Sequence, residues 1–360
     1  LKRKVNMGLA FLLTAGMLAA GCGSTENAAN PPAPTSAPAT ELSPEIAKIY
    51  EQAKKEGKVI FWSPDDQEVA KLKEDFSKKF PGVTLEHFQL QPPNVLEKII
   101  TESSANQTNV DVFDLYYNDV PQLIDRDLVK AFEWSQTFGL DPSVVLYDQK
   151  VLSGWQLSYP IIYNTNLVKK EDVPKTWEEL LDPKWKGKLL VEARGQAFPI
   201  LSFQWGEEKT INYVKDLMKQ DPVIIKGGTP SIQALASGQA AIGVGASYIY
   251  KVDDMKKKGA PLEWAKVGPI PLQTHTFGVL KNAPHPNAAL LLAYFLVSKE
   301  GLQSREDASG GTILKGEAAN GQAAKIIAEN KLEMISEMPE KAELRKKMET
   351  EVQNILSSLK

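Results

Sequence analysis

The chain has 360 residues, 42% hydrophobic and 24% charged, a content that suits two globular domains of ordinary size. Its formal net charge of −3, with no basic patch interleaved with aromatics, argues against a nucleic-acid partner. Its single cysteine leaves no intrachain disulfide to form.

Near the start, Lys2, Arg3 and Lys4 precede an apolar stretch from Val5 to Ala20, which runs into Gly21-Cys22. At about 16 residues the stretch is short of the roughly 20 that a spanning helix needs. It reads as a lipoprotein export signal over 1–21, with the Cys22 thiol as the lipid acceptor. The expected location is the cell membrane, lipid-anchored and facing outside the cytoplasm. Residues 22–44, with Pro31, Pro32, Pro34 and Pro38 among small polar residues, read as a flexible tether.

A short helix is expected over Glu45–Lys55 and a buried strand over Lys58–Trp62. Ser63-Pro64 reads as the N-cap and first position of a helix whose Val69, Leu72, Phe76 and Phe80 share one face. A strand in Val83–Gln89, a helix from Asn94 to about Ser103 and a strand Val110–Tyr117 follow, giving the alternation of an α/β fold. In the second half, Thr176-Trp177-Glu178-Glu179 is a capping box and Asp182-Pro183 a stop. Strands are expected at Lys188–Val191, Val223–Ile225 and Ala240–Ala246, with a helix from Thr229-Pro230 to Gly238 before the last of them. Thr276–Leu280 reads as a strand, Pro286–Val297 as a buried helix, and the charged last 30 residues as amphipathic helix packed outside.

Tyr159-Pro160-Ile161-Ile162-Tyr163-Asn164-Thr165-Asn166-Leu167, followed by Pro174 to Lys188, is the most specific stretch of the chain. With Ala236 to Gly245 and Ala283 to Ala289, it resembles the extracellular solute-binding proteins of the ferric-ion-transport type over about Lys58 to Leu302. The resemblance implies an α/β, two-lobed periplasmic-binding-protein-like (type II) clamp, each lobe a mixed sheet flanked by helices. The implied partners are a small-molecule solute in the interdomain cleft and the permease subunits of an ABC importer, with a monomeric receptor, no cofactor and no enzyme activity. The first crossing between lobes is expected near Leu157–Tyr163 and the return near Ile270–Phe277. Residues 45–158 and 274–360 would then form a discontinuous first lobe, and 159–273 the second. The Trp177–Lys188 stretch is expected to be structural.

Ligands of open α/β sheets sit beyond the carboxyl ends of strands, where loops enter helices. Ser63, Asp65 and Asp66 stand at one such place, and Tyr116, Tyr117 and Asn118 at another, where paired rings and an amide suit a polar aromatic wall. In the loop Glu192 to Phe198, which matches a cleft loop of the family, Arg194 suits a bidentate contact to a carboxylate or phosphate, and Gln196 accompanies it. Gly228 and Thr229 follow Lys226-Gly227, where glycines let a backbone approach an anion. Ser247, Tyr248 and Tyr250 end the Ala240–Ala246 strand, and His275 lies near the expected return crossing. His87 and His285 are expected to be structural.

Ferric iron needs oxygen ligands, and iron-binding members carry paired tyrosines where this chain has Tyr248 and Ile249. Tyr250, two positions on, is expected to point elsewhere. The family histidine after the first strand is replaced by Ser63-Pro64-Asp65-Asp66, and the glutamate after the third strand by Tyr116. The favoured solute is therefore an organic anion or zwitterion. Iron, held by Tyr248, Tyr250, Tyr116 and Asp66, is the alternative, and an anchored hydrolase the alternative of another class; no nucleophile elbow, GxxxxGK[ST] loop or metal-spaced cluster supports the hydrolase. Service to a sensor kinase instead of an importer would use the same fold.

Overall fold

The computed structural model describes residues 42–64, 66–309 and 322–358, apart from the side chains of 66–68, 309 and 322. Cys22, the tether up to residue 41, Asp65 and the Asp66 side chain lie outside that description. Among the described residues twelve strands follow in chain order: β1 Lys58–Ser63, β2 Thr84–Gln89, β3 Val112–Tyr116, β4 Val145–Leu146, β5 Val151–Ser158, β6 Ile161–Asn164, β7 Leu189–Glu192, β8 Val223–Ile225, β9 Ile242–Val244, β10 Leu262–Trp264, β11 Ile270–Val279 and β12 Met334–Ser336. They form two sheets. The first runs β2-β1-β3-β11-β5-β4, with β12 paired to the start of β11, and the second runs β10-β6-β9-β7-β8.

Parallel pairs need crossovers, and helices supply them. In the first sheet β1 is parallel to β2 and β3, through helices Asp66–Lys79 and Pro92–Ser104. In the second, β7 is parallel to β8 and β9, through helices Ala197–Trp205, Glu207–Met218 and Gly228–Ala236. Two antiparallel strands, β5 and β11, carry the chain between sheets: β5 leads through Tyr159-Pro160 into β6, and residues 265–269 lead from β10 into β11. The expected boundary at 273/274 falls inside β11, whose whole length pairs in the first sheet. Every residue of β11 is buried, its polar side chains included, so no alternation marks where it begins.

Each sheet has its own core. Phe61, Phe76, Phe80, Phe277 and Phe295 pack on one face of the first sheet, beneath helix Pro286–Val297. Trp177, Tyr213, Leu217 and Leu201 pack in the second. Trp177 is buried there, and its indole N–H donates to the Pro269 carbonyl at 3.1 Å, which gives the Trp177 stretch structural work. The chain after β11 divides. Helix Gln322–Glu329 inserts Ala323, Ala324 and Ile327 beside Ile232 and Trp264, and helix Ala342–Ser357 inserts Val352 and Leu356 beside Phe198 and Val214. Both helices, expected with the first lobe, thus pack on the second. The spacing Met348, Val352, Leu356 makes one buried stripe, at about 1.5–3 kcal/mol for each large apolar side chain.

Candidate functional site

Where the two sheets face each other, the strand ends carry aromatic and charged side chains. Tyr116 ends β3 directly opposite His275 of β11, and the rings meet edge to face at 4.9 Å. Asp114, two residues earlier and so on the same face of β3, binds the buried His275 Nδ1 through Oδ1 at 2.6 Å. Trp155 stacks on His275 at 3.7 Å, and the Arg305 guanidinium lies 3.3 Å over the Trp155 ring. A register shift in β5 opposite Thr274–Thr276 places that indole.

From the second sheet comes Arg194, just after β7. Its Nε donates to Glu192 Oε1 at 2.9 Å and its backbone N–H to Glu192 Oε2 at 3.0 Å. Glu192 is buried, and Oε1 also accepts the Gly227 N–H at 2.8 Å, so one carboxylate fixes the loops after β7 and β8 together. Tyr248, after β9, packs edge to face on Tyr159 at 5.2 Å. Tyr159, in the first crossing, donates its phenol to Gln273 Oε1 of β11 at 2.6 Å. Gly228 lies beneath the Tyr248 ring; a Cβ there would stand 3.3 Å from Tyr248 Cε2 and 3.5 Å from the buried Ser247 Oγ. Burial pushes the phenols of Tyr116, Tyr159 and Tyr248 above the ordinary tyrosine range, while the Arg194 charge draws each of them down. Burial works against the Arg194 charge, but Glu192, Tyr248 and Tyr159 together outweigh it and hold the guanidinium more basic than usual.

A second polar group adjoins this one. Gln196 receives donors from Gln273 Nε2 at 3.4 Å and from Arg345, and donates to Glu349 Oε1 at 3.2 Å. Asn118 donates to Glu349 Oε2 at 3.5 Å.

The structure therefore gathers Tyr116, Arg194, Gly228, Ser247, Tyr248 and His275, with Gln196 and Asn118 at the side, and disperses the rest. Ser63 ends β1, and its Oγ pairs with His87 Nε2 at 2.9 Å; the helix begins at Asp66 and not at Pro64. Tyr117 faces away from Tyr116, as neighbours at a strand end do, and its ring packs on Tyr147 at 5.6 Å. Thr229 is exposed and its hydroxyl accepts Lys251 Nζ at 2.6 Å; Lys226 is exposed as well. Tyr250 was expected to diverge from Tyr248, yet the rings are parallel at 5.7 Å and 8°. Tyr248 is extended and a helix starts at Ile249, so the turn from strand to helix brings the two rings side by side. His285, as expected, is structural, with its Nδ1 on Asp111 Oδ2 at 2.8 Å.

Sequence reasoning passes over Glu192, Asp114, Tyr159 and Trp155. Asp114 carried a signal, an acid inside the apolar run Val112-Phe113-Asp114-Leu115, which demands a buried partner. Glu192 stood at a strand end two residues from the chosen arginine.

Two lobes built on separate sheets, joined by crossing strands and facing each other across polar strand ends, define a two-lobed binding protein of the periplasmic type. The iron-bound HitA of Pseudomonas aeruginosa superposes with a TM-score of 0.69 at 15% identity, covering 83% of this chain and 99% of its own. The periplasmic binding protein AfuA of Actinobacillus pleuropneumoniae, with fructose-6-phosphate bound, superposes at 0.62 with 19% identity over 84% and 97%. Such identities show the fold alone. The chain belongs to the bacterial extracellular solute-binding proteins, whose family model matches residues 71–331. This is a family of receptors, not of enzymes. Iron uptake protein A1 of Synechocystis is 26% identical over 241 residues, 61% of this chain and 65% of that protein. The matches span between 39% and 65% of the length of the curated relatives.

Proposed function

We propose that this chain is a lipid-anchored receptor that encloses a small organic anion or zwitterion between its two sheets and delivers it to an ABC importer, without turning it over. The observation that carries the solute class is the Arg194 cluster. Glu192 takes Nε and the backbone N–H, which fixes the guanidinium, Tyr248 is hydrogen-bonded to it, and its charge also acts on the buried phenols of Tyr116 and Tyr159. A planar fork in such a setting suits a carboxylate or phosphate. Fructose-6-phosphate, the ligand of the similar AfuA structure, is a solute of this chemistry. Export and the anchor at Cys22 are supported by the basic start, the apolar stretch and the Gly21-Cys22 junction.

The test is thermal-shift screening of the mature protein against sugar phosphates, phosphonates, amino acids, polyamines, thiamine and ferric citrate. A solute at about 100 times its Kd stabilises by about 2.7 kcal/mol. The expected responder carries a carboxylate or phosphate, and Arg194→Ala abolishes its shift; an unchanged affinity in that variant overturns the anion site. Iron is the second reading, supported by the stacked Tyr248 and Tyr250 and by the iron uptake relative. A violet-red charge-transfer band on adding ferric ion, lost in Tyr248→Phe, would establish it.

A further inference from the structure

Residues 334–358 lie beyond the stretch that the family model matches, yet they reach the wall of the site. After β12 pairs with the start of β11, Glu337 accepts the Thr274 N–H at 2.8 Å and Arg345 Nε at 3.0 Å. Arg345 is buried and binds Gln196 and, at 3.4 Å, Glu349 Oε2. Helix Ala342–Ser357, which carries Arg345 and Glu349, packs on the second lobe. Asn118 and Asp119 directly follow β3 of the first lobe, and Asn118 Nδ2 lies 3.5 Å from Glu349 Oε2 and 3.4 Å from Asp119 Oδ1. Glu349 thus joins the two lobes, with Gln196 on one side and Asn118 on the other.

The groups that face Asp119 are Asn118 of its own loop and Glu349, Arg345 and Glu337 of the C-terminal segment. Two carboxylates, Asp119 and Glu349, therefore share the Asn118 amide across the lobes, beside one arginine that Glu337 already engages. We propose that the C-terminal helix is an interlobe clasp in which Asp119 is a positioning residue that takes up one proton beside Glu349 when the lobes close. This rests on reading the space between the sheets as the solute site.

Burial and the Glu349 charge push the Asp119 carboxyl up to about 7. In an open clamp, away from Glu349 and in water, it titrates near an ordinary aspartate, at about 3.9. Between those values the closed form holds more protons than the open form, so closure is favoured below the closed-form value and loses that support as pH rises through it. For one group the closed-to-open ratio falls about tenfold from pH 6 to pH 8 and then levels off.

The experiment uses the full chain with Cys22→Ser and spin labels at Ser77→Cys and Lys215→Cys, exposed positions on one helix of each lobe. Pulsed-EPR distances are recorded at pH 6 and pH 8 with no solute added. The expected result is a closed population about tenfold more favoured at pH 6, with that response lost in Asp119→Asn and reduced in Glu349→Gln, where burial still acts on Asp119. Equal populations at both pH values, or an undiminished response in both variants, overturn the proposal. Because no solute is present, a negative thermal-shift screen leaves this outcome unaffected, so the clasp and the solute class fail separately.

Discussion

Arg345→Ala offers the most demanding test of the structure. Arg345 and Glu337 are both about 1% exposed as side chains, and their Nε–Oε1 distance is 3.0 Å. Truncation leaves Glu337 in the interior with, among the described residues, only the Thr274 N–H as donor, and removes the bonds to Gln196 and Glu349. Breaking a buried pair in this way costs about 3–5 kcal/mol, because an uncompensated charge stays behind. A unit of about 320 residues, at about 2.1 cal/mol/K per residue, unfolds with an entropy near 0.7 kcal/mol/K, so the melting temperature falls by about 4–7 °C. The loss depends on pH. Burial already raises the Glu337 carboxyl, and removal of the Arg345 charge, which lowers it, raises it further. A raised carboxyl costs stability above its unfolded value and nothing below it, so the deficit of the variant is full near pH 7 and shrinks toward pH 4. Calorimetry at pH 7, 5.5 and 4 reads this directly, and Glu337→Gln in the same background is expected to restore most of the loss at pH 7. A melting point within 1 °C of the parent at pH 7, or a deficit that grows in acid, would refute the reasoning.

Other outcomes follow from the same geometry. Tyr159→Phe removes a buried 2.6 Å bond to Gln273 and is expected to cost about 1–2 kcal/mol in urea unfolding; no loss would mean that Gln273 is satisfied without it. Gly195→Val combines a φ of +59° with a Cβ 2.7 Å from both Val352 and Leu356, so it should loosen the C-terminal helix, seen as faster amide exchange over 342–357. Cys22→Ser is expected to move the protein from the detergent phase to the aqueous phase and to abolish acyl labelling; retained labelling would place the anchor elsewhere.

The fold was legible wherever local pattern and tertiary burial agree. Val223–Ile225 and Pro286–Val297 occur with the expected bounds, since a short β-branched run and an uninterrupted apolar helix each admit one solution. β5 was not legible: Ser153, Gly154 and Gln156 interrupt its apolar run, and its register shift breaks the period of two. The strand-end candidates Tyr116, Arg194 and Tyr248 could be picked because loops after parallel strands converge on one edge. Their partners could not. Arg345 reaches Gln196 across 149 residues, and His275 reaches Asp114 across 161, so only the folded chain brings them together. Tyr250 is a different case: residues two apart lie on one side of an extended segment, as Asp114 and Tyr116 do, and Tyr248 keeps extended dihedrals at the start of the helix, so the two rings fall together.

Charge balance decides which solute such a wall favours. Arg194 is paired with Glu192, His275 with Asp114, and Arg345 with Glu337 and Glu349. Arg194 is balanced by one carboxylate while Arg345 faces two, so the anion-seeking part of the wall is the Arg194 fork. A ferric ion held by Tyr248, Tyr250 and Tyr116 would have to ionise phenols, two of which, Tyr116 and Tyr248, burial raises, and the metal's own charge would have to supply that ionisation. An organic solute whose own charges balance, or whose single anion meets the Arg194 fork, needs no such ionisation. It gains charge-assisted bonds of about 1.5–3 kcal/mol each while the existing pairs stay intact.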